Sequence, residues 1–517
     1  MTNSKLSPAC MAVVARYVRR RGVSANQLHE FLNPTLHLGR YTLPDLGKAT
    51  LRLQTAVQKN ETVVIFGDYD ADGMISVSIL LRFFQECTTL RPRWKLPHRK
   101  HDQYGLDTEM AQKLVAEFQP TLLICVDNGT NSAETISWLA SLGVDTIILD
   151  HHPVTSKQTD ALAMLNPKAH PEFCSGDLTS LCAAGLALVF CHHLAARWHC
   201  DGRWDHATAT LLAGVGTLAD AVPMSHANRA IAKTMLELIN SSAVSHCRGL
   251  QALLPADGQR LTQRRIQFEV VPPMNALGRL NSAEPGVLLL TTPDTAAAKL
   301  IASRCRELNE TRKAIQQNIV AQAVEQGKEQ LALHPSQPML VLAHRDWVPG
   351  VVGPTASQVV EQLSRSVILL GPDGDLERWK GSGRAHNSDD LGAWVATMKR
   401  QNGIERGGGH AAAVGVALRA EQLQYLRGKA TVLPMPQAAG YEPESEIIGR
   451  IEELHPFEWS QVIDAIEPTG PGNPAPLVSA RNARLVGKPV ELKLKSSGKP
   501  WALKADFIVE GRIICVV

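Results

Sequence analysis

The chain has 517 residues, with 53 Lys+Arg against 50 Asp+Glu and a formal charge of +3 at pH 7. At roughly 100–200 residues per domain that length predicts about three or four domains. A 44% hydrophobic and 20% charged composition excludes wholesale disorder and collagen-like repeats. No apolar run reaches the roughly 20 residues a membrane span requires. In MTNSKLSPACMAVVARYVRRRG the positive charge follows the short apolar stretch, the reverse of a secretory signal, so a cytoplasmic location is expected.

In chain order, residues 1–50 read as short helices. Continuous apolar runs at 62–66, 122–126 and 146–149, separated by helical patterns at 107–118 and 132–142, predict buried parallel strands with helical crossovers. Polar residues follow each run, at the strand ends where open α/β sheets place ligands. The ten cysteines show no CxxC spacing. The segment CHHLAARWHC (191–200) lies in an apolar helical pattern and is read as a packed helix, not a metal site.

After Pro293-Asp294 a long helical pattern runs to an expected stop at Gly327; about 30 residues of helix would span roughly 45 Å and join two domains. A second α/β pattern starts at 339–342, continues through 367–370 and ends at a glycine cluster, 407–409. Beyond about 430 the chain turns to short alternating strands and Pro/Gly turns. The stretch 481–504 holds seven Lys/Arg and one acid, Glu491. With Trp501, it could track a single nucleic-acid strand or form an ordinary solvated strand face.

Four acidic sites follow four apolar runs: Asp68-Tyr69-Asp70-Ala71-Asp72, Asp127-Asn128-Gly129, Asp150-His151-His152 and Asp220. One aspartate after a strand is usually a cap or turn residue. Four such sites, three carboxylates falling within five residues, would repel strongly unless cations neutralise them. Oxygen ligands mixed with imidazole suit Mn²⁺ or Mg²⁺. Two such ions about 3.5–4 Å apart can activate water for in-line displacement at phosphorus, so the residues themselves point to a two-metal phosphoesterase.

The ordered motifs DYDADG, VDNG, LDHH and LAD resemble those of the DHH phosphoesterase family. The resemblance continues through PMNALGRLNSAEPGVLLL, LNETRKAIQQ, WVPGVVGPTASQ, KGSGR, GGGHAAAVG and EPTGPGNPAP, and is narrowest with the family's single-strand-specific 5′→3′ DNA exonucleases. It implies an α/β fold: a parallel-sheet DHH domain (51–285) and a smaller α/β DHHA1-type domain (331–430), joined by the long helix (286–330). A helical segment (1–50) would precede them and a partial β-rich OB-like domain (440–517) follow. It makes Asp68, Asp70, Asp72, Asp127, His151 and Asp220 the ligands of two Mn²⁺ or Mg²⁺ ions. His152 would bind the scissile phosphate or support the ligands, and Asp150 would orient the imidazoles. Arg279, Ser382 and Arg384 would contact phosphates, Arg99 and Tyr104 would help hold the 5′ end, and Gly407, Gly408, Gly409 and His410, opposite KGSGR, would wall the groove. The implied activity is hydrolysis of single-stranded DNA to mononucleotides in repair and recombination, by a monomer working with a single-stranded DNA-binding protein and a helicase. The alternatives are a DHH phosphodiesterase for short oligonucleotides or cyclic dinucleotides, and a non-catalytic DNA-binding scaffold. HDQYGL departs from the family's DGYGL at Gln103, and the ending GRIICVV suggests a shortened last domain.

Overall fold

The computed structural model describes residues 6–99, 102, 105–155, 159–174, 178–224, 226–387, 389–431 and 447–480. At 484–493, 500–509 and 512–516 it describes the backbone alone. The chain divides into two compact units. The larger comprises His37–Asp220 and Thr234–Gly440.

Its first sheet contains β1 (Val63–Phe66), β2 (Arg93–Lys95), β3 (Leu122–Val126), β4 (Asp145–Leu149) and β5 (Ala163–Met164) in the order β2-β1-β3-β4-β5. All neighbours are parallel, with Ile65 beside Ile124 and Ile124 beside Ile147. The three apolar runs are β1, β3 and β4, and all four residues of β1 and five of β3 are buried. Sheets covered on both faces demand such uninterrupted runs. Because the strands are parallel, Asp68, Asp127 and Asp150 emerge at one edge. The strand order reverses between β1 and β3, which opens a crevice at that edge.

Asp220 arrives differently. The apolar run before it is the helix His206–Ala219, which Asp220 terminates. A short buried apolar run has the same composition in a strand or a helix, so periodicity does not separate them.

The second sheet contains β6 (Met339–Ala343), β7 (Ser366–Asp373), β8 (Asp375–Arg384), β9 (Arg406–His410) and β10 (Ala413–Arg419), in the order β6-β7-β8-β10-β9. The pair β6–β7 is parallel and the others antiparallel. KGSGR lies in β8 and GGGH in β9, so the two are not opposite each other: they flank β10 in one sheet, Gly415 pairing with both Ser382 and Gly408.

The long helix runs Thr295–Leu333, starting directly after Pro293-Asp294 as its sequence pattern suggested and ending later. Pro293 separates it from the helix Glu284–Thr291, and Asp294 caps it by accepting from Ala296 N–H at 2.7 Å. Gly327 is not a stop. It is buried within the helix, where an added Cβ would come 2.4 Å from Leu363 Cδ1. The helix contributes Ile319, Ala323 and Val324 to a core with Leu340, Leu342, Val351 and Leu369. CHHLAARWHC belongs largely to the packed helix Ala183–Arg197.

The smaller unit joins the two ends of the sequence with residues 221–233. Its first helix, Pro8–Arg19, buries Cys10, Val13, Val14, Tyr17 and Val18 against Ile448, Leu454, Trp459, Val462 and Ile466. Tyr17 Oη donates to Asn473 Oδ1 at 2.6 Å. The buried Arg229 donates to the carbonyls of Phe31, Ile466, Pro468 and Ala465, tying three stretches of the unit together. Strands β11 (Ile447–Arg450) and β12 (Leu477–Ser479) pair in parallel, and β13 (Arg484–Lys493), β14 (Pro500–Val509) and β15 (Arg512–Val516) form an antiparallel sheet. The basic side chains of 481–504 and Trp501 lie outside the described residues. Among the described residues no helix is long and apolar enough to cross a membrane.

Candidate metal centre and phosphate contacts

The chain after β1 turns directly into the helix Ala71–Cys87. Asp68 Oδ1 accepts from Tyr69 N–H at 2.7 Å, and Asp70 caps the helix by accepting from Gly73 N–H at 3.1 Å. Asp72, in the first turn, accepts from Ala183 N–H (2.8 Å) and Ala184 N–H (3.0 Å) with separate oxygens. Two helix N-termini thus meet at one carboxylate, where their orphan amides favour negative charge. The helix Val271–Leu280 backs this loop: Asn275 Oδ1 accepts from Ala71 N–H at 2.8 Å. A Cβ at Gly278 would stand 2.1 Å from Tyr69 O, so only glycine permits that approach.

Asp127 follows β3 with φ 63, a left-handed conformation that turns its carboxylate back over the sheet edge. His151 Nε2 lies 3.2 Å from Asp127 Oδ1 and 3.6 Å from Asp220 Oδ2. Asp150 points elsewhere: its Oδ1 accepts from His151 N–H, His152 N–H and, at 2.7 Å, His152 Nδ1. Its Oδ2 accepts from Thr130 N–H at 3.1 Å. The ligand atoms fall into overlapping groups within 4.8 Å: Asp68–Asp70–Asp127, Asp72–His151–Asp220, and Asp127–Asp150–His151–His152.

Burial, then Asp70, pushes the Asp72 carboxyl up to about 6. Burial, then Asp72 and Asp70, pushes Asp220 up to about 8. Asp68 and Asp127 are raised well above the usual carboxylate range, again by burial first and then by their acidic neighbours. Burial and the neighbouring His152 lower His151 to about 3, leaving it neutral at pH 7. Burial would raise Asp150 too, but hydrogen bonds from His152 and Thr130 more than reverse it. His152 is raised: burial works against its charge, and the Asp150 carboxylate prevails. Carboxylates so crowded need either protons or cations, and oxygen donors around one neutral imidazole fit hard divalent ions, Mn²⁺ especially.

Beside this centre stands a group of cations without carboxylate partners. Arg279 donates to Gly350 O at 3.2 Å, and burial, with Arg99 and Arg312 nearby, lowers it to about 10. A Cβ at Gly350 would lie 2.2 Å from Arg279 O. Arg312 is held by Asn309 and Gln316, and burial lowers it as it lowers Arg384. An added Cβ at Gly353 would sit 3.3 Å from Ser382 Oγ and 4.0 Å from Arg384 Nη2, so both face the helix Pro349–Leu363. Arg99 lies over the Tyr69 ring, 4.8 Å from its centroid. Lys380 is lowered by burial, and Arg99 and Arg406 add repulsion. Among the described residues, Arg99, Arg279, Arg312, Lys380 and Arg384 make no ion pair. Half-buried guanidinium groups left uncompensated suit bidentate binding of phosphate.

Gly409 and His410 line a cleft of about 1180 Å³ with Gly105, Asn128, Asp150 and His152, which places the end of β9 across from the metal centre. Gly407 sits earlier in β9 against Val395 and Ile404, supporting the strand, while an added Cβ at Gly408 would meet open space. Tyr104 and Gln103 lie outside the described residues. Reading the sequence alone did not single out Arg312, Lys380, Asn275, Thr130 or Asn166. Arg312 and Asn275 stood inside the quoted motifs LNETRK and PMNALGR; Thr130 and Asn166 gave no signal.

Residues 62–215 match the DHH family, N-terminal domain, and residues 336–431 match the DHHA1 domain. The chain thus carries a DHH domain followed by a DHHA1 domain. It is similar to the single-stranded-DNA-specific exonuclease RecJ of Bacillus subtilis, 29% identical over 449 residues. That match covers 86% of this chain and 55% of the relative, so the chain spans just over half the Bacillus protein. RecJ of Escherichia coli is 29% identical over 435 residues, covering 80% of this chain and 73% of that one. The crystal structure of RecJ from Thermus thermophilus in complex with Mn²⁺ superposes with a TM-score of 0.75 at 24% identity. The match covers 98% of this chain and 70% of the Thermus chain, so the two share a fold.

Proposed function

We propose that this protein is a metal-dependent exonuclease that hydrolyses single-stranded DNA from its 5′ end to mononucleotides, in the cytoplasm, for repair and recombination. One juxtaposition carries the reading: buried carboxylates that need cations lie beside half-buried arginines that need anions. A phosphodiester strand with divalent ions satisfies both. The relatives named above are single-strand-specific exonucleases, which supports the choice of substrate.

Asp68, Asp70, Asp72, Asp127, His151 and Asp220 hold two Mn²⁺ or Mg²⁺ ions in this reading. When bound, such a pair activates water and stabilises the oxygens of an in-line displacement. His152, its Nδ1 fixed by Asp150, presents its other ring nitrogen to the scissile phosphate. Arg279, Ser382 and Arg384 hold the terminal phosphate, Arg99 helps hold the 5′ end, and Gly409 and His410 close the opposite wall.

Digestion of 5′- and 3′-labelled single and double strands with Mn²⁺ and with Mg²⁺ tests activity, polarity and strand preference together. Release of 5′ label from single strands alone is expected. Asp127→Ala should abolish that release while the circular dichroism spectrum is kept; full activity in that variant sinks the assignment.

A further inference from the structure

Asp150 and His152 stand on a loop after β4, and hydrogen bonds within that loop alone do not fix it relative to the sheet. Asn131, after β3, holds the loop's Pro153 O and Thr155 N–H, and a residue from a third stretch of chain ties His152 to the sheet. Asn166 follows β5 and is fully buried. Its Nδ2 donates to Thr130 Oγ1 at 2.8 Å and to His152 O at 2.9 Å, and its Oδ1 accepts from Lys168 N–H at 2.9 Å. Thr130 in turn donates its N–H to Asp150 Oδ2, and Asp150 Oδ1 receives His152 Nδ1. Leu165 N–H donates to Ile148 O at 2.7 Å, so Asn166 is anchored to the sheet itself.

We propose that Asn166 is a positioning residue, which braces Thr130, Asp150 and His152 into one unit through the two hydrogens of its amide. Both hydrogens are used, each on an oxygen of a different segment, and the amide oxygen is used as well. No other side chain of that size supplies two donors and an acceptor. With both hydrogens and the oxygen of its amide taken by protein groups, Asn166 acts through the residues it holds. A misplacement of about 1 Å at a reacting centre can cost roughly 100-fold in rate, which gives such a brace its leverage. The inference rests on the exonuclease reading and names a residue that sets its geometry.

Steady-state kinetics on a 5′-phosphorylated single strand at saturating Mn²⁺ tests it with Asn166→Asp, which keeps size but removes both donors, and Thr130→Val, which removes the hydroxyl. The expected result is kcat lower by about 10–100-fold with KM for the strand unchanged. Thr130→Ser, retaining the hydroxyl, should recover most of the kcat that Thr130→Val loses. Wild-type kcat in both Asn166→Asp and Thr130→Val, or a raised KM with kcat intact, overturns the brace. If Asn166→Asp does not fold, Thr130→Val and its serine counterpart decide. An inactive wild type instead overturns the exonuclease reading. Calorimetric titration with Mn²⁺ alone then reads the brace, with about 10-fold weaker binding expected in Thr130→Val and unchanged binding overturning it.

Discussion

Burial and mutual repulsion push Asp72 to about 6 and Asp220 to about 8, whereas in the unfolded chain each would titrate near 4. The native state therefore binds protons that the unfolded state has released, so these groups oppose folding more strongly as pH rises from about 4 to about 8. Bound cations remove that opposition and compete with the same protons. The melting temperature of protein stripped with EDTA should fall between pH 6 and pH 8, and added Mn²⁺ should raise it more at pH 8 than at pH 6. Differential scanning fluorimetry at the two pH values checks this; an equal rise at both contradicts it. The aspartates were legible because three carboxylates in five residues have few bland explanations. Asn166, Arg312 and Lys380 were not: a buried amide or a guanidinium without a carboxylate exists only once other segments close around it.

At the scale of elements, the Asp68–Asp72 loop depends on how closely one helix can approach it. Gly278→Ala would drive a methyl group to 2.1 Å from Tyr69 O, a backbone atom that cannot swing away. Its helix must then shift, at a cost of about 1–3 kcal/mol, and kcat should fall with it. Gly327→Ala meets Leu363 Cδ1 at 2.4 Å and Leu340 Cδ1 at 3.3 Å, both the ends of flexible side chains. It gains about 1 kcal/mol of helix propensity in return, so thermal melts should show it near neutral. The same contrast marks what periodicity could see. Runs buried on both faces announced β1, β3 and β4, but the run before Asp220 read like a fourth strand and is a helix. Gly327 read like a terminator because glycine's cost is local, while the contact that repays it lies 36 residues away in Leu363.

Across the whole molecule, charge is sorted. Acids gather at the sheet edge and unpaired arginines beside them, which is why a net +3 said so little. Arg279→Ala should raise KM for 5′-phosphorylated strands more than for 5′-hydroxyl strands, and competition assays at fixed salt measure it. The smaller unit carries a different prediction. Tyr17→Phe leaves Asn473 Oδ1 without its donor, at about 1–3 kcal/mol, and should sensitise that unit to limited proteolysis.

The same core links residues more than 400 positions apart, Cys10 with Trp459 and Val14 with Val462. During synthesis at about 5–20 residues per second, the helix Pro8–Arg19 waits roughly 20–90 seconds before the segment that covers its apolar stripe has been made. For that interval Val13, Val14 and Tyr17 have only nearby residues such as Leu28, Phe31 and Leu32 to cover them. Nascent-chain solubility is thereby tied to translation speed, with the helix a natural client for chaperones that bind exposed apolar surface.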